Sequence, residues 1–302
     1  MNKIESIHRK EAKQMNWKKW TGIVIVLAIL IFIGYSVWNS SQTEQLPTAR
    51  TATVSEDTVT EIVASNGTIV PSETQEISGQ GIVSELNVSV GDSVNEGDSI
   101  VTYIDGTEYT ANFNGTITEV NITEDEPDTN AQQGQSSITL SNLNNLEVEV
   151  DLSRSDATEV KVDQPVKLTY NDKEYDGTIS TIDPVATQQQ TQTGSSSSLG
   201  AVITFNSKPE GLIAGFEIDA DITVASADQT LVIPIEALNY DEDNLPYVFT
   251  IDDSGIANKV DIETGIQSNT NIEITSGLDK GDQVILSPSD EISNDTQVEV
   301  ED

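Results

Sequence analysis

Gly81-Ile82-Val83-Ser84-Glu85-Leu86-Asn87-Val88-Ser89 returns 34 residues later as Gly115-Thr116-Ile117-Thr118-Glu119-Val120-Asn121-Ile122-Thr123. Gly, Glu and Asn fall at equivalent places, and most other positions exchange Val for Ile or Ser for Thr. Both copies are rich in β-branched residues, which favour strands. Two similar β-half-units of this size predict a small sandwich with internal two-fold symmetry. Each half then exposes an apolar face that only the other half covers.

Working outward, the first copy runs into Gly91-Asp92-Ser93-Val94-Asn95-Glu96-Gly97-Asp98-Ser99-Ile100. Its two Gly-Asp pairs read as tight turns, because Gly supplies the positive φ such turns need. Beyond the repeat the β pattern continues, in TITEVNIT (116–123), LEVEVDL (146–152), VKLTY (166–170) and EIDADITV (217–224). Aromatic residues make up only 5%, so the cores are expected to be small and aliphatic. SRSDATEV (153–160) is expected to form one or two capped helical turns. TQQQTQTGSSSSLG (187–200) is low in complexity and is expected to be a mobile loop between two strands.

The chain has 302 residues, room for two or three modest domains. It has no cysteine, which excludes disulfides, thiolate metal sites and a lipoprotein anchor. Its one histidine, His8, lies in the N-terminal tail, so the usual base and the usual zinc ligand are missing elsewhere. With 14 basic and 51 acidic residues the net charge is −37, which argues against a nucleic-acid partner.

That charge is unevenly divided. Residues 1–20 carry Lys3, Arg9, Lys10, Lys13, Lys18 and Lys19 against Glu5 and Glu11, a net of +4. The remainder holds 8 basic and 49 acidic residues, a net of −41. At the boundary stands WTGIVIVLAILIFIGYSVW (20–38), without a charge. As a helix it measures roughly 28 Å, close to a bilayer's hydrocarbon thickness. Trp17, Trp20, Tyr35 and Trp38 mark its ends, and basic residues precede it, so the tail is expected inside and the bulk outside. No A-x-A site follows, so the segment is expected to remain as an anchor rather than be removed as a signal peptide.

The G-D-x-V-x-x-G-D-x-I run (91–100), followed by Ala111-Asn112-Phe113-Asn114-Gly115-Thr116-Ile117, resembles the biotinyl/lipoyl domain over about residues 77–145. Carriers of that family modify a lysine on the hairpin joining the halves. Here the link is Tyr103-Ile104-Asp105-Gly106-Thr107-Glu108-Tyr109, and no lysine occurs between Lys19 and Lys161. Without an amine there is no amide to lipoate or biotin.

The chain as a whole resembles the HlyD-like membrane fusion proteins, the periplasmic adaptor subunits of bacterial efflux transporters, over roughly residues 50–290. The likeness rests on ASNGTIVP (64–71), the lipoyl-like stretch, LEVEVDLSRSDATEVKVDQPVKLTYNDKEYDGTISTIDPVA (146–186) and GLIAGF (211–216). Its most specific part is VIPIEAL (232–238), PYVFTIDDSG (246–255), VDIETG (260–265) and ITSGLDKGDQVIL (274–286). Two features depart from the family pattern. Asp163 stands where a Gly is usual before the Gln-Pro-Val turn, and no long α-helical hairpin separates the lipoyl halves.

The resemblance implies a mostly β chain: a basic cytoplasmic tail (1–19), a transmembrane helix (20–38) and a linker (39–49). Entering strands shared with the later domains (50–76), a lipoyl-like barrel-sandwich hybrid (77–145), a β-barrel domain (146–227) and a membrane-proximal domain (228–302) would follow. The implied partners are an ABC-type permease of the macrolide-exporter kind with its ATPase, and further copies of the chain, six in a ring. A proton-driven pump is the lesser partner, and outer-membrane tunnel docking is not expected without the helical hairpin. A surface-displayed cell-wall or ligand-binding β-protein is the alternative from another class.

No catalytic, cofactor-binding or metal-binding residue is expected. Asp241-Glu242-Asp243-Asn244 and Asp252-Asp253 lack the Gly and terminal Glu of an EF-hand loop and read as solvated hairpin turns. No G-x-x-x-x-G-K loop is present, so an ATPase would be another chain. So acidic a surface suits a salty or alkaline exterior, where repulsion is screened.

Overall fold

The computed structural model describes residues 28–32, 46–191 and 194–301. The expected transmembrane segment 20–38 lies outside them apart from 28–32, which are helical, with Ile29, Leu30, Ile31 and Phe32 exposed. Among the described residues no helix is long and apolar enough to cross a membrane.

The protein is mostly β, as its alternating Val, Ile and Thr runs dictate. In chain order the strands are β1 (Thr48–Thr53), β2 (Ser55–Pro71), β3 (Thr74–Ile77), β4 (Gly81–Leu86), β5 (Ser93–Val94) and β6 (Ser99–Tyr103). Next come β7 (Glu108–Thr110), β8 (Gly115–Val120), β9 (Pro127–Asp128), β10 (Ile138–Ser141), β11 (Leu146–Leu152) and β12 (Pro165–Tyr170). They are followed by β13 (Lys173–Ile182), β14 (Thr187–Thr191), β15 (Gly194–Phe205), β16 (Glu217–Pro234), β17 (Asn239–Tyr240) and β18 (Pro246–Ile251). The last are β19 (Ile256–Asp261), β20 (Glu263–Gln267), β21 (Asn271–Ser276), β22 (Gln283–Leu286), β23 (Thr296–Gln297) and β24 (Glu299–Val300).

The repeat builds a sandwich of two four-stranded sheets, ordered β3-β10-β8-β5 and β7-β6-β4-β9. Exchanging β3 with β7, β10 with β6, β8 with β4 and β5 with β9 turns one order into the other, so the two-fold is real. Val83 and Ile117, equivalent in the repeat, are both fully buried. Ile77, Ile100, Val101, Ile138 and Leu140 complete an aliphatic core. The Gly-Asp turns form as read. Gly91 and Gly97 adopt φ of 94° and 89°, and the Asp92 and Asp98 carboxylates accept the amides of Ser89 and Asn95, each at 2.8 Å.

Strands β12, β13, β15, β11, β2 and β16 follow one another in pairing order, and β12 also pairs β16, which closes a six-stranded barrel. Closure leaves no edge among these six. Ile69, Val148, Leu168, Ile179, Ile203 and Ile222 fill its interior. Asp163 takes the left-handed conformation (φ 69°) that the usual Gly would adopt, which an Asp tolerates better than most residues. The turn therefore survives the departure. SRSDATEV makes a single short helical turn, Asp156–Thr158.

Strands β2 and β16 outrun the barrel. At the far end β16 pairs β21, and β1 joins a sheet ordered β23-β19-β18-β22-β1-β24. Two small cores lie there, one around Val54, Ile233, Val248 and Val284, the other around Phe249, Ala257 and Ile285. The chain thus enters through this C-terminal unit, climbs the barrel on β2, builds the sandwich and returns. Strand β1 lies parallel to β24, so the first and last strands meet in one sheet.

The expectation of a loop over 187–200 is corrected. Thr187–Thr191 pairs in register with Gly194–Ser198 as a β-hairpin. Low complexity hides strand pairing here because main-chain hydrogen bonds require no apolar pattern.

Candidate functional site: the two-fold sandwich and its hairpin

The hairpin joining the sandwich halves is where a carrier domain would hold its lysine. Here it is a tight turn. The Tyr103 amide donates to the Thr107 carbonyl (2.8 Å), the Gly106 amide to the Tyr103 carbonyl (2.9 Å) and the Thr107 amide to the Asp105 carboxylate (2.9 Å). That last bond holds the Asp105 carboxyl below the usual range. Ile104 stands exposed at the tip beside Ile82, whose carbonyl accepts the Ile104 amide at 3.0 Å. Nothing at this tip can form a swinging arm.

Beneath the hairpin lies a buried polar cluster. The Tyr103 hydroxyl donates to the Asp128 carboxylate at 2.6 Å, Ser137 Oγ donates to the same oxygen at 2.5 Å, and the Asn130 amide donates to the other at 3.0 Å. Tyr103, Asp128 and Ser137 are all buried. Burial alone would raise the Asp128 pKa, but the bonds from Ser137, Tyr103 and Asn130 outweigh it and the net shift is downward. Burial, then the adjacent carboxylate, push the Tyr103 hydroxyl well above its ordinary value. The carboxylate is therefore ionised and triply satisfied at neutral pH, and the cluster ties the root of the hairpin to the other half. Gly79 completes it: a Cβ there would lie 2.1 Å from the Tyr103 hydroxyl oxygen.

Sequence reasoning missed this cluster, although the repeat holds its signal. Asp128 is the 34-residue equivalent of Val94, a core residue (128 − 94 = 34). Tyr103 faces Val83 across its ladder as Leu140 faces Ile117, the equivalent of Val83. One half thus carries Val and Leu where the other carries Asp and Tyr. A carboxylate at a position the repeat marks as apolar needs buried partners.

Elsewhere two of the acidic residues singled out by sequence, Asp241 and Asp252, cap turns. Asp241 Oδ1 accepts the amides of Asp243 and Leu245, and Asp252 Oδ1 those of Ser254 and Ile256. Among the described residues no three His, Asp or Glu side chains are grouped to hold a metal ion. The surface grooves are open and mixed in lining, as between Thr250, Asp252, Leu278 and Gln283.

Residues 230–300 match the model of the YknX C-terminal permuted SH3-like domain. YknX of Bacillus subtilis (strain 168), described as an efflux system component, is 28% identical over 207 residues, covering 66% of this chain and 54% of that protein. The macrolide export protein MacA of Yersinia pestis is 23% identical over 194 residues, covering 61% and 49%. The chain thus spans about half the length of these curated relatives. In fold it is similar to the crystal structure of MacA from Actinobacillus actinomycetemcomitans, with a TM-score of 0.66 at 18% identity, covering 79% of this chain and 99% of that one. With a two-fold sandwich, a closed barrel and a C-terminal unit that matches the YknX domain, in that order, the chain is similar in sequence to YknX and MacA and shares the fold of the MacA crystal structure.

Proposed function

We propose that this chain is the non-enzymatic adaptor of an efflux system, held at the outer face of a cytoplasmic membrane by residues 20–38. In this reading 77–145 is the lipoyl-like domain, 146–227 the barrel domain and 228–302 the membrane-proximal domain, with 50–76 shared among them. Its partner is a permease with an ATPase, of the macrolide-exporter ABC type, and copies of the chain assemble in a ring of six over the permease exit. The adaptor couples the permease's shape change to substrate release.

The observation that carries the reading is a lysine-free two-fold sandwich closed by a tight turn, ahead of a barrel and a YknX-type unit. The lysine-free link leaves a lipoyl fold with no acyl-carrier chemistry, so its surfaces alone can serve. The macrolide-exporter assignment draws support from the MacA relative and from the MacA-like fold. Only Ile104-Asp105-Gly106-Thr107 separates β6 from β7, too little to reach an outer-membrane tunnel.

Affinity purification of the full chain after mild detergent extraction tests this. A permease and an ATPase should accompany it, and deleting residues 20–38 should abolish its support of export. Peptidoglycan in place of a permease, or full export with a soluble version, would refute the adaptor reading and favour a surface-displayed cell-wall protein.

A further inference from the structure

Among the described residues, the outer arm of the β14–β15 hairpin, Thr187–Thr191 with Gly194–Ser198, contributes nothing to the buried cores. Beyond Leu199 it leaves the barrel: β13 pairs β15 only as far as Ala201, and β11 only as far as Leu199. Among the described residues, Gly194–Ser198 pairs with Thr187–Thr191 and no other strand, and Thr187–Thr191 pairs with nothing else. Both edges of the arm are therefore open, over about 17 Å at 3.4 Å per residue. Thr187, Gln188, Ser196 and Ser197 are exposed. A two-stranded ribbon without an apolar face is marginal in water and gains stability from a third strand.

Its chemistry specifies which strand. Exposed edges are ordinarily guarded by charges, prolines or bulges. From Thr187 to Ser198 there is no charge and no proline, and the register is unbroken. Residues 184–209 form the longest acid-free stretch after Glu44 in a chain of net charge −37. Two copies of so acidic a protein repel wherever acidic faces meet, and like charges opposed across a ladder destabilise it. This arm is where copies approach without that repulsion, provided that each presents the arm to the other.

We propose that the arms of neighbouring copies pair edge to edge, β14 of one against the Gly194–Ser198 segment of the next, joining successive hairpins into a β-crown above the barrels. Such a contact is head-to-tail, using a different edge on each side, so it closes with rotational symmetry. The inference rests on the ring assembly proposed above and names the element that joins its members.

The native absence of cysteine gives a clean background for cross-linking. Gln188→Cys chains are co-expressed with Ser196→Cys, Ser197→Cys or Ser198→Cys chains, extracted in full length in mild detergent and mildly oxidised. Light scattering on the same samples gives the oligomer mass. At least one mixture should yield several-fold more disulfide-linked dimer than either chain alone, since only facing strands bring Cβ atoms to about 3.8 Å. Gln188→Cys alone cross-linking as well as its mixtures would mean that like strands pair across a two-fold, and would overturn the head-to-tail crown. An oligomer of unchanged mass with no cross-link in any mixture would overturn the crown and leave the ring reading standing. A monomer would overturn both.

Discussion

The β6–β7 and β14–β15 hairpins both project from a closed β-unit, yet they are fixed in opposite ways. The first roots its last strand residue, Tyr103, in a buried cluster with Asp128 and Ser137 and turns back within four residues. The second carries Gln, Ser and Thr, is tied to the barrel by a side-chain bond from Ser198 to Asp151 (2.8 Å), and among the described residues its outer arm pairs with no third strand. One owes its shape to burial within the chain. The other offers main-chain groups that another chain can complete. The difference teaches that a hairpin's role follows from where its hydrogen bonds and apolar faces end.

Four single substitutions and one double variant break or sharpen this contrast. The largest effect should come from Tyr103→Ala, which empties a fully buried aromatic site and leaves Asp128 short of a donor. The loss should be about 3–5 kcal/mol of sandwich stability, read by hydrogen exchange of β4, β6 and β9 with the barrel strands unchanged. Gly79→Ala should follow at about 3 kcal/mol, because the added methyl meets a hydroxyl that Asp128 holds in place. Combining it with Tyr103→Phe should recover part of the loss, since the colliding oxygen is then gone.

Asp128→Asn should cost about 1–2 kcal/mol at neutral pH by weakening charge-assisted bonds. Its pH dependence carries a sign. Asp128 titrates lower in the folded chain than in the unfolded one. Its contribution is therefore fully present above the unfolded value near 4 and is lost as pH falls through the folded value. Acid titration of sandwich stability should be shallower in the Asn variant, and the two proteins should converge at low pH. An equal acid slope in both would remove Asp128 from the cluster's energetics. The smallest effect belongs to the other hairpin: Gln188→Ala, exposed and off any core, should change thermal stability of the isolated protomer by less than about 0.5 kcal/mol.

Much of the fold was legible in particular residues. The repeat at 81–89 and 115–123 revealed the two-fold, because half-units that cover each other need the same alternation of apolar and polar residues. The Gly91-Asp92 and Gly97-Asp98 turns were readable because few residues other than Gly adopt their φ values. The Tyr103–Asp128–Ser137 cluster was not read, since its members lie 25 and 9 residues apart and meet only when the sheets pack. The hairpin over 187–198 was misread as loop, because strand signals weigh apolar alternation and this ribbon has none.

By itself the amino-acid sequence determined the β character, the internal symmetry, the absence of a thiol and of a carrier lysine, and an uncharged 20–38 segment between a basic tail and an acidic bulk. These follow from local pattern and from which functional groups are present, and neither depends on how the chain closes. Tertiary structure alone decided that β12 meets β16 to seal the barrel, that Asp128 becomes a satisfied buried anion, and that a polar run forms a hairpin which, among the described residues, pairs with no third strand. Each depends on long-range pairing, and a strand acquires a partner, an interior or a free edge only after distant segments have taken their places around it.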